Sequence, residues 1–98
     1  MYRRVAIKTW ACNETKAIFE GESRDLVPRN VLKRANAKLL VLHAAVDMRD
    51  LMIPPSNRLE KLRGDRAGQL SIRINDQYRI CFKSRNGDAY DVEIVDYH

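Results

Sequence analysis

The chain of 98 residues has little of several features that mark particular protein classes. It has two cysteines, Cys12 and Cys81, and no CxxC motif, so neither a disulfide framework nor a zinc site is indicated. The apolar runs are short, and none approaches the roughly 20 residues of a membrane span. Near the N-terminus "VAIKTW" is broken by Lys8 and is no signal-peptide core. These absences favour a cytoplasmic protein without metal or membrane.

Internal repeats and low-complexity linkers are also missing, and a chain of this length fits one domain over residues 1–98. With 45% apolar residues the chain is not expected to be disordered. Acidic residues are scarce in one window. Residues 58–85 carry eight basic groups against three acidic ones, a net charge of +5. Such a window suits a polyanionic partner, although a solvated basic surface is the simpler interpretation.

The first half of the chain has helical periodicity. Residues 4–10 alternate weakly and indicate a first strand, and Asn13 is placed to cap a short helix through Phe19. After Pro28, apolar residues recur every three or four positions and predict an amphipathic helix. These are Val31, Leu32, Ala35, Leu39, Leu42 and Val46. The prolines of "MIPPSN" end the helical part.

After Asn57 the period changes to two. The segments "LSIRIN", "YRICFKS" and "YDVEI" place their even-numbered apolar residues on one face and polar residues on the other. This pattern is typical of half-buried antiparallel strands. Helices followed by strands predict an α+β domain, an antiparallel β-sheet with the N-terminal helices packed on one face.

The strand register follows from this parity, because paired residues share a face. Pairing Ile74 with Tyr78 leaves a three-residue loop and sets Arg73 opposite Arg79. At the next connection, parity pairs Ile80 with Ile94, Phe82 with Val92, and Lys83 with Asp91. A plain two-residue loop at Asn86-Gly87 would break that parity, so we expect a bulge or a longer loop.

The same register sets Tyr97 opposite Gln77, so Arg73, Arg79 and Tyr97 gather on the face away from the helices, with His98 nearby. Two arginines held together without an acid between them predict a phosphate site. The alternative is that both guanidiniums extend into water and that the last residues form an exposed tail.

The segments "NRLEKLRGDRAGQLSIRINDQYRICF" and "GDAYDVEIVDYH" resemble the HigB-type toxins of the RelE superfamily, through Gly64–Arg66, the strand pattern and the final Asp-Tyr-His. The resemblance implies a small RelE-like domain that cuts messenger RNA on the ribosome without metal or cofactor. It also implies a helix-turn-helix antitoxin of the HigA type, with operator DNA bound only through that antitoxin.

Site residues follow from the resemblance and from the register. The resemblance implies that Arg79, Asp96, Tyr97 and His98 are catalytic, and that the basic groups Lys61, Arg63 and Arg66 contact RNA. Arg73 is a further candidate from the register alone. Relatives can carry a histidine at the position of Glu60, which leaves one proton-transfer role open.

The chemistry is attack of a ribose 2′-hydroxyl on the adjacent phosphorus. It needs proton removal, proton delivery and stabilisation of phosphoryl charge. His98 is expected to be the acid or a charge stabiliser, and Arg79 with Arg73 to stabilise the charge. Tyr97 could be the base or orient a nucleotide, and Asp96 could hold His98 or be the base.

Two other functions remain open. One is a non-catalytic RNA-binding module that blocks translation by occupying the ribosome. The other is an interaction protein whose basic helix face, at Lys33, Arg34 and Lys38, binds an acidic partner.

His43, in the long helix, is expected to pack or to complement the helix dipole.

Overall fold

The computed structural model describes residues 5–97. Two helices, α1 (Asn13–Phe19) and α2 (Arg29–Ala44), precede four strands, β1 (Glu60–Lys61), β2 (Gln69–Arg73), β3 (Tyr78–Arg85) and β4 (Asp88–Asp96). Short 3₁₀ turns lie at Met48–Met52, Pro55–Asn57 and Gly64–Arg66. The strands form one antiparallel sheet in the order β1-β2-β3-β4.

One face of the sheet packs against the helices and forms the core. The even-numbered apolar residues of β2 and β3, together with Val92 and Ile94 of β4, are buried or packed there, as the alternation predicted. Tyr90 is the exception, because it pairs with Lys83 and therefore lies on the opposite face, where the sequence pattern did not place it. The core-facing strand residues meet the apolar stripe of α2. The shared core includes Val31, Ala35, Leu39, Leu42, Ile72, Ile80, Phe82, Val92 and Ile94. The predicted α+β architecture, with helices on one face, is therefore confirmed.

The predicted register of β2 and β3 is confirmed, with Arg73 opposite Arg79. Ile80 also pairs with Ile94 as predicted. The β3–β4 turn is a tight two-residue loop in which Asn86 and Gly87 both have positive φ.

A bulge further along the β3–β4 pairing restores the register in which the apolar residues of both strands face the core. Lys83 pairs with Tyr90 and Cys81 with Glu93, so β4 has one extra residue between these pairs. The bulged residue Asp91 has φ of 52°, and its carboxylate still reaches Lys83 Nζ at 3.2 Å. The predicted pairings of Phe82 with Val92 and of Lys83 with Asp91 are therefore wrong as backbone register, although the Lys83–Asp91 ion pair forms.

Three further predictions for the N-terminal half need correction. Residues 5–10 make only isolated bridges to β4, because only Ile7 and Trp10 pair with it, and residue 4 lies outside the described part. Asn13 is the first residue of α1, and the cap position is Cys12. Val46 lies beyond α2 and is exposed, because that helix ends at Ala44.

His43 packs, as expected. Its Nδ1 accepts a hydrogen bond of 3.1 Å from the Ile7 backbone N–H, and its ring meets Phe19 edge-on with 5.3 Å between centroids. The Trp10 ring also packs against Phe19, with 5.2 Å between their centroids. These rings tie the N-terminal segment to the helices, and His43 has a structural role.

Candidate active site

A cleft of about 220 Å³ opens on the sheet face that the helices leave uncovered. Its lining comes from β1, β2, β3, the loop before β1, the β2–β3 loop and the end of β4. The lining residues are Arg58, Glu60, Arg73, Asn75, Asp76, Arg79 and Tyr97. The cleft brings together three of the predicted site residues, namely Arg73, Arg79 and Tyr97.

Arg79 lies at the floor of the cleft and is only 8% exposed. Its Nε donates a 2.8 Å hydrogen bond to the hydroxyl of Ser71, which lies on β2 two residues before Arg73 and on the same face. Its Nη2 donates to the Arg58 carbonyl. The guanidinium lies 5.8 Å from the centroid of the Tyr97 ring. A buried guanidinium held at several points is a fixed donor array of the kind that anionic oxygens bind.

The Arg58 carbonyl owes its position to a buried amide. Asn57 is fully buried, and its Nδ2 donates to the carbonyls of Leu51 and Ile53, each at 3.2 Å. Its Oδ1 accepts a hydrogen bond from Lys38 Nζ on α2. The next residue, Arg58, adopts a left-handed conformation with φ of 45°. The Pro55–Asn57 turn is thus pinned to α2, and the chain after it presents a carbonyl to Arg79.

Arg73 faces the cleft from β2, but it does not stand unpaired as the sequence interpretation assumed. Its Nη2 makes an ion pair with Asp76, three residues on in the β2–β3 loop. Arg79 also has an acid within range, because its Nη1 lies 3.9 Å from Glu60 Oε1. The prediction of two guanidiniums without an acid between them is therefore wrong. The repulsion of the opposed pair is relieved because each guanidinium has its own carboxylate.

Glu60 is the carboxylate that the structure adds to the site. It lies on the edge strand β1 opposite Ser71, and its side chain is half exposed. At 3.9 Å from Arg79 the pair is loose, so the carboxylate remains accessible from the cleft. A carboxylate beside a fixed guanidinium can accept a proton next to a site that holds an anion.

The final residues divide between the faces of the sheet. Tyr97 lies opposite Gln77 as predicted, and its backbone N–H donates to the Gln77 carbonyl at 2.6 Å. Asp96 pairs with Tyr78, a core residue, and accepts a 3.1 Å hydrogen bond from Gln77 Nε2. Asp96 does not line the cleft. His98 lies outside the described residues, so its catalytic role stays a prediction.

The predicted RNA-binding residues differ in their surroundings. Lys61 and Arg63 are exposed on β1 and just after it. Arg66 is tied to the sheet, because it donates to Glu93 at 2.8 Å and to Gln69 at 3.1 Å. The hydrogen bond with Glu93 is the main reason that the pKa of Arg66 is raised. Lys61 and Arg63 are therefore accessible to solvent, whereas Arg66 already has a carboxylate partner.

Cys81 lies on the open face by register, opposite Ser71, and is fully buried. Burial raises the pKa of its thiol, which keeps it protonated near neutral pH. A buried, protonated thiol is a packing group and a poor nucleophile.

Within residues 5–97 no group of three or more His, Cys, Asp or Glu side chains is arranged to hold a metal ion. No helix of that region has the length and apolar character needed to cross a membrane.

Sequence reasoning missed the residues that hold the site in place. Ser71 was assigned only to the polar face of its strand, and Asn57 and Arg58 were treated as part of a breaker segment. A polar residue buried beside a proline pair gives little indication of its partners.

Comparison with known proteins gives a consistent family. Residues 9–98 match the family model of HigB-like toxins, described as RelE-like toxins of the type II toxin–antitoxin system HigB. The chain is 42% identical over 72 residues to Toxin HigB-1 of Vibrio cholerae, covering 72% of this chain and 76% of that protein. It is 34% identical over 92 residues to Endoribonuclease HigB of Proteus vulgaris, covering 94% and 99%.

Solved structures show a similar fold at low identity. A chain of the heterotetrameric YoeB-YefM toxin–antitoxin complex from Staphylococcus aureus matches with a TM-score of 0.55 and 18% identity, over 98% of this chain and 99% of that one. The YoeB dimer from the same species matches with a TM-score of 0.51 over the same shares.

Proposed function

This chain belongs to the family of HigB-like toxins, the RelE-like toxins of type II toxin–antitoxin systems, and we propose that it is an endoribonuclease that cuts messenger RNA on the ribosome. Its similarity to a protein named Endoribonuclease HigB supports the ribonuclease activity. The observation that carries the proposal is the cleft on the open face. There Arg79 is fixed by Ser71 and Arg58 under the Tyr97 ring, with Arg73 beside it.

The proposed reaction needs no group beyond the substrate and the protein. The 2′-hydroxyl of the ribose loses its proton and forms a bond to the adjacent phosphorus, while the bond to the 5′-oxygen breaks. The leaving oxygen takes up a proton. The products are a 2′,3′-cyclic phosphate and a 5′-hydroxyl. Negative charge develops on the phosphoryl oxygens, and donors fixed at that point lower the barrier most.

We assign one group to each requirement of the reaction. Arg79 stabilises the phosphoryl charge, because its guanidinium is already oriented and loses little freedom when the substrate binds. Glu60 takes the proton of the 2′-hydroxyl, since it is the half-exposed carboxylate beside Arg79. His98, from the family resemblance, delivers a proton to the 5′-oxygen. Tyr97 keeps its ring over Arg79 and orients the nucleotide, and Arg73 adds positive charge at the mouth.

The expected partners follow from the family. We propose that a helix-turn-helix antitoxin of the HigA type binds and silences this chain, that operator DNA is bound only through that antitoxin, and that the toxin acts in the cytoplasm. The structurally similar Staphylococcus aureus chain belongs to a toxin–antitoxin complex, which supports a protein inhibitor here.

The direct experiment uses ribosomes programmed with a defined message, and primer extension to map new RNA ends. The parent protein is expected to cut in the presence of ribosomes and to spare the same message without them. A single 2′-deoxy nucleotide at the cut position is expected to abolish cleavage there, because it removes the nucleophile. Cleavage of the deoxy message at an unchanged rate would contradict the mechanism.

The same assay separates the ribonuclease from a module that acts by occupancy. Occupancy predicts arrested translation with no new RNA ends, and indifference to His98→Gln. The ribonuclease predicts that His98→Gln and a chain lacking His98 both lose cleavage. If both variants cut as well as the parent, His98 has no part in the chemistry.

A further inference from the structure

A second hollow, of about 210 Å³, lies next to the cleft and has no role in the proposed chemistry. We call it the α2 pocket. Its lining consists of Arg34, Lys38, Ser56, Arg73 and Ile74. Arg73 lines both the cleft and the α2 pocket, so the two spaces adjoin across one guanidinium.

The α2 pocket is strongly positive. Arg34 and Lys38 lie one helical turn apart on α2 and face Arg73 of β2, and no carboxylate is among the lining residues. The pKa of Lys38 is lowered first by burial and then by the nearby charges of Arg34 and Arg73. Asp76, the carboxylate partner of Arg73, lines the cleft and is almost fully exposed. Three cations thus converge where no described acid lines the wall.

This placement divides the basic helix face seen in the sequence. Lys33 neighbours Arg34 in the chain, but it lines a different hollow together with Gly21, Glu22 and Ser23. Arg34 and Lys38 turn toward the sheet. Lys38 is also anchored, because its Nζ donates to the buried Asn57. The pair therefore belongs to the surroundings of the cleft.

We propose that the α2 pocket binds a backbone phosphate of the same message strand, next to the link that lies in the cleft. The proposal rests on the proposed function and extends it to a second contact with the substrate. Two guanidiniums, an ammonium and the Ser56 hydroxyl are donors that suit a phosphate. A polynucleotide carries anions at regular intervals, so one strand can fill two adjoining positive spaces that share Arg73.

The test is a double-mutant cycle between the pocket and the message. The protein variants are Arg34→Gln, alone and with Lys38→Gln. The matched control is Lys33→Gln, which removes the same charge from the same helix outside the pocket. Messages carry one neutral methylphosphonate at successive links around the cut, and KM and kcat are measured on programmed ribosomes. The single variant Arg34→Gln guards against loss of folding, because Arg34 is exposed whereas Lys38 bonds to buried Asn57.

Arg34→Gln and the double variant are expected to raise KM by about tenfold with little change in kcat, because a charged hydrogen bond to substrate is lost away from the reacting atoms. Lys33→Gln is expected to behave like the parent. At one link, neutralising the phosphate is expected to raise KM for the parent and to add nothing in the Arg34→Gln variant. Such non-additivity shows that the two groups meet.

Three results would overturn the assignment. Arg34→Gln could match Lys33→Gln. The effects of protein and message could add at every link, which would mean that the pocket contacts some other RNA. Arg34→Gln could weaken antitoxin binding and leave cleavage intact, which would assign the pocket to an acidic protein segment. Absence of cleavage by the parent is distinct from these, because it would remove the proposed function itself and the inference with it.

Discussion

Replacement of Arg79 by lysine examines the centre of the proposed site while keeping its charge. An ammonium cannot span both acceptors that hold the guanidinium, the Ser71 hydroxyl and the Arg58 carbonyl, and it has no planar fork to offer a phosphoryl group. Arg79→Lys therefore keeps the positive charge and removes the fixed arrangement of hydrogen-bond donors.

Two magnitudes follow from the structure. Arg79 is 8% exposed, so loss of one of its hydrogen bonds leaves a buried polar partner and lowers the free energy of unfolding by about 1–3 kcal/mol. For a domain of this size that corresponds to a fall in Tm of roughly 4–24 °C. Loss of one fixed donor to the developing oxyanion lowers kcat on the order of a hundredfold, with a smaller change in KM.

The assay is cleavage of a defined message on programmed ribosomes, at a temperature where circular dichroism shows the variant to be folded. The matched control is Arg85→Lys. Arg85 lies on the same strand, with its guanidinium 5.5 Å from the Tyr90 ring, and it does not line the cleft. If Arg79→Lys cut within about threefold of the parent while folded, the guanidinium would not stabilise the transition state and the assignment would fail.

Other predictions concern the ring, the thiol and the turn. Tyr97→Phe is expected to keep cleavage within about tenfold, because the ring over Arg79 remains, whereas Tyr97→Ala loses more; equal losses would make the hydroxyl the active part. Cys81 is expected to react with a thiol reagent far more slowly than the partly exposed Cys12. Because folding raises the pKa of Cys81, the stability that its protonated thiol contributes is present at neutral pH and is lost as the pH rises through the pKa of the folded state. Urea unfolding across this pH range should show that loss, and the loss should be smaller in Cys81→Ala. Gly87→Ala is expected to lower the unfolding free energy by about 1 kcal/mol because φ is 82°, and an unchanged urea midpoint would contradict this.

Much of the sheet was predictable, because alternation fixes which face each residue occupies. The opposition of Arg73 and Arg79, and the placement of Tyr97 on their face, follow from parity alone. This depends on long strands with one buried face, where a slip of one residue would expose the whole apolar set.

The remaining parts of the site depend on contacts that produce no periodic pattern in the sequence. β1 has two residues, both exposed, so it is too short for a periodic pattern to predict the strand that carries Glu60. The Arg58 carbonyl points to Arg79 through a left-handed residue that follows the buried amide of Asn57. Asp96 was assigned to the site by the family resemblance, but successive residues of a strand point to opposite faces, and Asp96 does not line the cleft that Tyr97 lines.

The extra residue at Asp91 sets the phase of everything beyond it on β4. If the same sequence were paired from the tight turn without a bulge, Asp96 would lie opposite Gln77 beside the arginines, and Tyr97 would lie on the core face. Thr9, from the segment before α1, clamps the irregularity, since its hydroxyl accepts the Asp91 N–H at 2.8 Å and its carbonyl accepts the Val92 N–H at 3.1 Å. The composition of the cleft is thus decided several residues upstream, by the one-residue offset that the bulge introduces between the turn and the end of β4.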